Sequence, residues 1–349
     1  MSEASPFWMP HVHADRRQFL RLRNKIAAEL RGYFSGEDFV EVDPSILQIS
    51  PGNEAHISAF VTAFEDDFGQ KHPFYLHSSP EFACKKLLAA GEERIFSFAH
   101  CFRNRERGPL HHPEFTMLEW YRAHQTYDVL MLDCEAMLRA VAEVAGASHL
   151  TYGGKTSDVG AAFERLSVVE AFERYAEIDL SLSLDGAQTN RAVLAAMVAN
   201  IGMRVSADDT WSDLFSKVLS EKIEPNLGLG RPTFLYDYPV SEAALARVKS
   251  DNPMFSERFE LYACGVELAN GFGELTDAKE QRRRFAHEMD ERQRLYEDSY
   301  PLDEDFLRAL SFMPQASGIA LGFDRLVMLV CGAPHIEQVL WTPVAKTGA

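Results

Sequence analysis

Residues 258–278 read RFELYACGVELANGFGELTDA, and three glutamates, Glu260, Glu267 and Glu274, recur in them at intervals of seven. A heptad would set the three on one helix face, but Gly265, Gly271 and Gly273 disfavour a continuous helix. The β-branched and aromatic content of FELYACGVEL predicts instead a buried strand running into a glycine-rich turn. Carboxylates in so apolar a setting need a cation, a metal or hydrogen-bond donors to offset desolvation. The stretch therefore points to a sheet, and to a sheet that holds a ligand.

The rest of the chain agrees with an ordinary globular protein. Of 349 residues, 46% are hydrophobic and 25% charged, the proportions of a soluble protein with one large domain or two ordinary ones. A formal charge of −17 disfavours unspecific adhesion to nucleic acid but leaves room for a local basic pocket. The five cysteines (Cys84, Cys101, Cys134, Cys264, Cys331) contain no CxxC pair, which argues against a disulfide scaffold or zinc site and for a reducing cytosol. The amino terminus, MSEASPFWMPHVHADRRQFL, lacks the apolar core of a signal peptide. No run approaches the roughly 20 apolar residues of a membrane span. A cytoplasmic protein without a membrane anchor is expected.

Residues 15–34 carry Phe19, Leu22, Ile26, Leu30 and Tyr33 at helical spacing. A short strand, FVEVDPS, follows and should end at Pro44. The segment 74–79 (FYLHSS) reads as strand, and Pro80 opens a helix, PEFACKKLLAAG, that Gly91 ends. RIFSFAHCF and PEFTMLEWYRA enclose the polar loop RNRERGPLHH and predict an antiparallel pair. After about residue 127 come helical stretches, beginning with VLMLDCEAMLRAVAEVAG, strands return at PTFLYDYP and FELYACGVELAN, and a helix at 277–298 precedes the final run GIALGFDRLVMLVCG. The pattern is α+β: a mainly antiparallel sheet flanked by helices, with a helical insertion at about 150–230.

Two stretches carry phosphate chemistry. The loop of the predicted hairpin gathers Arg103, Arg105, Arg107, His111 and His112, and arginine's planar fork gives permanently charged, bidentate bonds to phosphate. A solvated charged loop would look the same in isolation. In the returning strand Glu119 lies between Leu118 and Trp120, and the reading puts Tyr121 on the opposite face unless the strand bulges. The carboxy-terminal run sets Gly318 and Gly322 before Asp324, Arg325 and an apolar helix. Glycines allow close backbone approach, a helix amino terminus favours anions, and a core helix with one salt bridge is the plain alternative.

In this order, an arginine hairpin, a glutamate-rich strand and a glycine-rich Asp-Arg helix resemble motifs 2 and 3 of class II aminoacyl-tRNA synthetases, with the segment before Pro44 in the place of motif 1. SSPEFACKKLL, HPEFTMLEWY, ELANGFGEL and GIALGFDRLVML are similar in detail to lysyl-tRNA synthetases, over nearly the whole chain from about residue 15. With motif 1 starting there, no anticodon-binding domain is expected before it. The chain therefore resembles the elongation factor P–(R)-β-lysine ligase family, truncated paralogues that activate a lysine isomer with ATP and pass it to a lysine of elongation factor P.

The resemblance implies a single catalytic domain over 1–349, a homodimer, ATP and Mg²⁺ as cofactors, and elongation factor P rather than tRNA as acceptor. It implies that Glu260 and Glu267 hold Mg²⁺, that Arg103 clamps the α-phosphate and that Arg325 clamps the γ-phosphate. Further ATP contacts are implied for Asn104, Arg105 and His112, for Phe115 as adenine partner, and for Leu268 and Gly322. Glu274, assisted by Glu119 and Tyr121, would take the substrate's side-chain ammonium, and Glu81 its backbone-side amine. Ser79, Pro80, Asn270, Phe272 and Ala320 complete the implied substrate site. Relatives commonly have Glu at the place of Arg105 and Asn at that of His112, and Glu106 stands ready to replace one of those contacts. A tRNA-acting enzyme and a non-catalytic regulatory paralogue are the rival readings. Retention of Arg103, Glu260, Glu267 and Arg325 counts against the second.

Overall fold

The computed structural model describes residues 6–345, so the first five residues of the amino-terminal stretch read above lie outside it. The main sheet has eight strands: β1 (Val40–Glu41), β2 (Arg94–Phe102), β3 (Glu114–Ala123), β4 (Glu164–Ser167), β5 (Thr233–Tyr236), β6 (Arg258–Ala263), β7 (Val266–Gly273) and β8 (Ala316–Gly322). Their spatial order is β1-β2-β3-β8-β7-β6-β5-β4, and only the outer pairs β1/β2 and β4/β5 run parallel. This is the mainly antiparallel α+β fold expected. The helices are α1 (Pro10–Gly36), α2 (Glu81–Ala89), α3 (Asp128–Ala145), α4 (Val168–Ala176), α5 (Arg191–Asn200), α6 (Trp211–Val218), α7 (Ala278–Tyr296), α8 (Glu304–Leu310) and α9 (Phe323–Cys331).

Side chains alternate across a strand, and the two faces of this sheet have different tasks. One face presents Leu118, Trp120, Phe259, Leu261, Ile319 and Leu321, which α1, α3 and α9 cover with Ile26, Phe34, Leu138 and Leu326 in the largest core. The other face receives α2, α7 and α8 through Phe82, Phe285 and Phe306, with Phe82 stacked on Phe306 at 4.1 Å. Beyond these helices that face is open and forms a cleft. Residues 150–230 hold α4, α5 and α6, whose Phe172, Trp211 and Phe215 pack on Leu235, Tyr238 and Tyr262 of the sheet side. They also hold a hairpin, His149–Tyr152 with Lys155–Asp158, and the edge strand β4. Among the described residues, no helix is long and apolar enough to cross a membrane.

The decisive stretch is two strands, not one. Cys264 and Gly265, at φ 58° and 74°, make a tight turn whose left-handed pair of residues matches the twist of a two-residue hairpin. The register then shifts: Leu261 faces Ala269 while Tyr262 faces Glu267, so Leu268 is an extra, bulged residue. Residues seven apart in a regular strand point to opposite faces. The bulge cancels that, and Glu267 joins Asn270, Phe272 and Glu274 on the cleft side, with Glu260 across the hairpin. The segment expected as strand at 74–79 ends earlier: its strand is Lys71–Leu76, in a separate three-stranded sheet with Leu47–Gln48 and Phe60–Glu65.

A polar fastening lies within the covered face. Buried Asp133 of α3 accepts hydrogen bonds from Trp120 Nε1 (3.0 Å), Arg122 Nε (2.8 Å) and Nη2 (2.7 Å), and the Tyr33 hydroxyl of α1 (2.9 Å). Asp133→Ala strands a buried guanidinium and should cost about 3–5 kcal/mol. The urea midpoint should fall with little change in slope, and a loss below about 1 kcal/mol would show that the fastening is incidental.

Candidate active site

The cleft has a volume of about 360 Å³ and is lined by β3, β6, β7 and β8, the start of α2 and the loop between β2 and β3. One end is built for positive charge. Glu119 of β3 is sealed from solvent and accepts from Ser79 Oγ (2.6 Å) and the Tyr121 hydroxyl (2.7 Å). Tyr121 thus shares the face of Glu119, against the expectation. Residues two apart always do so in a regular strand, and β3 pairs with β2 and β8 without a register shift. Beneath the cleft Lys85, also sealed, lies between Glu81 and Glu274, 2.6 Å from Glu274. Burial opposes the Lys85 charge, but the two carboxylates outweigh it and raise its pKa.

Three carboxylates and one internal cation leave this end electron-rich. Burial, then the charge of Glu81, pushes the Glu119 carboxyl up to about 8, and Glu274 is raised by burial against the pull of Lys85. Gly318 belongs here for a packing reason. A Cβ on it would fall 2.3 Å from both the Tyr121 ring and Glu274 Oε1, so only glycine lets β8 lie across them. Ser79 and Glu81 line the cleft, whereas Pro80, Glu119, Tyr121 and Glu274 support it from below. Asn270, Phe272 and Ala320 form its floor, with Ala320 paired to Glu119 on one side and Asn270 on the other.

The other end is built for negative charge. The Arg103 guanidinium lies 5.3 Å from the centre of the Phe115 ring, and its Nε donates to the Ser78 carbonyl (3.4 Å). Arg325, at the first turn of α9, donates to the Glu267 carbonyl (3.0 Å) and lies 2.8 Å from His111 Nε2 and 3.6 Å from the Glu267 carboxylate. Burial, then Arg325, lowers the His111 pKa, so its imidazole is neutral at pH 7. The Glu267 side chain is 41% exposed, open to the cleft yet surrounded by protein, and its carboxyl is raised first by desolvation and then by Glu260. Gly322 and Leu268 also border this end.

Four of the residues with implied contacts have partners within the chain or lie off the cleft wall. Asn104 and Arg105 do not line the cleft: Asn104 donates its N–H to the Ser58 carbonyl and its side chain accepts from the Arg105 N–H, leaving Arg105 exposed at φ 65°. His112 lines the cleft, but its Nδ1 meets the Glu114 carbonyl (2.5 Å) and its Nε2 accepts from the Val344 N–H (3.2 Å). Both ring nitrogens are thereby engaged, and His111 is the imidazole near Arg325. Glu260 is also engaged, by Arg258, by the Tyr238 hydroxyl (2.5 Å) and by the Tyr262 hydroxyl (2.6 Å). Glu106 lines the cleft, as the replacement for a lost contact requires. Among the lining residues that the sequence reading missed are Glu54, Leu245 and Arg258. Arg258 opens the decisive stretch and could have been found there, but nothing in the local sequence marks Glu54 or Leu245.

Lys85→Met leaves Glu81 and Glu274 without their cation. A carboxyl whose pKa is raised by folding costs stability once it is ionised, and that cost fades as pH falls toward the ordinary carboxylate range. The variant should therefore lose about 3–5 kcal/mol at pH 8 and less than about half of that at pH 5. Denaturant titrations at the two pH values measure this, and an equal loss at both would show that Lys85 is held by packing rather than by charge.

The family model for class II tRNA synthetases (D, K and N) matches residues 6–346. The elongation factor P–(R)-β-lysine ligase of Haemophilus ducreyi is 38% identical over 335 residues, 95% of each chain. That of Proteus mirabilis is 38% identical over 348 residues, covering 99% of this chain and 100% of its own. That of Salmonella arizonae is 38% identical over 344 residues, 97% of this chain and 98% of its own. Matches of this identity and span, on a sheet whose cleft faces carry the residues of motifs 2 and 3, place the chain in the class II tRNA synthetase family, among the elongation factor P–(R)-β-lysine ligases.

Proposed function

We propose that the protein activates (R)-β-lysine, or lysine, with ATP as an acyl-adenylate and transfers it to a lysine side chain of elongation factor P. The observation that carries this reading is the charge division of one cleft. Glu81 and Glu274 share the internal cation Lys85 at one end, with Glu119 beside them, while Arg103 and Arg325 stand at the other. A diamino acid brings ammonium groups to the first end and its carboxylate toward the phosphates at the second. Desolvated ammonium groups need such carboxylates. Attack of the substrate carboxylate on the α-phosphorus gathers charge on the phosphoryl oxygens, which fixed guanidinium groups stabilise. No protein nucleophile is required.

Mg²⁺ prefers one or two carboxylates, completed by phosphate and water. Glu267, open to the cleft, would hold it with Glu260 beside it, and the ion would neutralise phosphate charge. On this reading residues 1–349 form one catalytic unit with α4–α6 as an insertion. Exposed Val40, Leu47, Val61 and Phe64 support pairing of two copies, and five free cysteines support a cytoplasmic setting. The names of the relatives support elongation factor P, rather than tRNA, as acceptor.

Replacing Arg103 with Ala removes one donor to the transition state, worth roughly 3–4 kcal/mol. Amino-acid-dependent ATP–pyrophosphate exchange should fall by about 100- to 1000-fold while the fold persists. Near-normal exchange in the folded variant would defeat the assignment of this loop. The isomer choice is expected at Ala320, where lysyl-tRNA synthetases usually have glycine. Its methyl faces the cleft between Glu119 and Asn270, where it would crowd the α-amine of lysine and spare the amine one carbon farther from the carboxylate. One methyl is worth about 1–3 kcal/mol, or roughly 10–200-fold. Ala320→Gly should shift kcat/KM toward α-lysine by that order, and a selectivity ratio changed less than about twofold would exclude Ala320 as the determinant.

A further inference from the structure

Transfer to a lysine side chain has a requirement that activation lacks: the attacking amine arrives as an ammonium and must lose a proton. Glu54 stands where that proton can be taken. It lines the cleft together with Ser79 and Glu81 of the amine end and Arg103 of the phosphate end, and thus flanks the place where an acyl-adenylate would join the two. Its backbone is fixed on both sides. The Ala55 N–H donates to Glu288 Oε2 (3.0 Å), Asn53 Nδ2 to the Pro301 carbonyl (3.3 Å), and Arg292 Nη1 to the carbonyls of Ala55 (2.9 Å) and Ile57 (3.0 Å). The Glu54 carboxylate itself makes no hydrogen bond or ion pair among the described residues. A charged side chain on a clamped loop, aimed into a cleft and used by nothing in the fold, is available to a substrate.

We propose that Glu54 binds the ammonium of the acceptor lysine and acts as the general base of the transfer step. This rests on the ligase reading above. The proton passes from the ammonium to the Glu54 carboxylate and then to solvent. The neutral amine attacks the acyl carbonyl, a C–N bond forms, and the C–O bond to phosphate breaks with its electron pair on the phosphoryl oxygen. The second proton lost by nitrogen leaves with AMP on that oxygen.

Other carboxylates of the cleft are less suited. Glu119 is sealed and already bonded by Ser79 and Tyr121, and Glu267 faces Arg325 at the phosphate end. The charged groups acting on Glu54 come from four elements: Arg103 at the end of β2, Glu81 on α2, Glu288 on α7 and Arg258 on β6. Glu54 is exposed to solvent within the open cleft, yet protein stands close around it, and this partial desolvation raises its carboxyl, with Arg103 and Arg258 lowering it and Glu81 and Glu288 raising it. A base is most effective when its pKa lies near the working pH.

The test separates the two steps in wild type, Glu54→Gln and Glu54→Asp. Activation is read by ATP–pyrophosphate exchange with β-lysine. Transfer is read by single-turnover release of labelled β-lysine from the preformed enzyme-bound adenylate to elongation factor P, and separately to hydroxylamine, which is neutral at pH 7. Removal of a general base costs about 10²–10⁴-fold. The ratio of transfer to exchange should therefore fall about 100-fold or more in Glu54→Gln, recover in part in Glu54→Asp, and rise steeply with pH from 7 to 9. Transfer to hydroxylamine should fall far less. Equal losses in both steps, or equal losses with both nucleophiles, would overturn the assignment, as would normal transfer by Glu54→Gln beside an active wild type. A wild type that fails to exchange with any lysine isomer would overturn the ligase reading and this inference together.

Discussion

A lysine ammonium sealed from solvent between two carboxylates fixes much of this molecule. Lys85 is reachable neither by water nor by substrate, so its charge is sustained only by Glu81 and Glu274. Those two belong to distant segments, the start of α2 and the end of β7, and the ion pair holds them side by side under the cleft. A buried pair of this kind is not in itself a source of stability, because desolvation offsets the attraction. What it supplies is placement: two carboxylates that would repel are kept adjacent, with one of their two charges left uncompensated. Glu119 adds a third carboxylate from β3, held by Ser79 and Tyr121. That end of the cleft thus gathers three carboxyl groups around one internal ammonium.

Much of this was legible in the sequence, for identifiable reasons. β2, the pairing of β2 with β3, and the Pro80 start of α2 were readable because period-two runs and proline punctuation are local signals. The turn at Cys264 was not, because a non-glycine residue at positive φ is uncommon and the apolar run continues through it without interruption. Nor was the Leu268 bulge. Its effect is to reverse parity, and the composition of a strand carries no record of parity. The two lysines of α2 look alike in sequence, yet Lys85 is sealed while Lys86, 28% exposed, reaches Asp303 at 2.8 Å. Adjacent His111 and His112 divide in the same way, because the tail near Val344 engages His112 and leaves His111 for Arg325. These distinctions are made by contacts distant in sequence.

The phosphate end depends on the helical face behind the sheet. Asp324 and Arg325 read as an Asp-Arg pair, but they are not each other's partners. Asp324 is buried, accepts the Thr116 N–H of β3 (2.7 Å) and pairs with Arg23 of α1, whose other Nη donates to the Thr116 hydroxyl (2.9 Å). Arg23 also lies over the Phe323 ring, 4.7 Å from its centre. The negative member of the pair is therefore used to pin α9 to β3 and α1. Had it paired with Arg325, the cleft would have gained no net charge from this motif. Because Arg23 neutralises Asp324 from the covered face, Arg325 is free to point into the cleft, where the carbonyls of Leu110 and Glu267 aim it and the Glu267 carboxylate faces it at 3.6 Å. A chain with a formal charge of −17 can thereby present guanidinium groups at one end of a single cleft and carboxylates at the other.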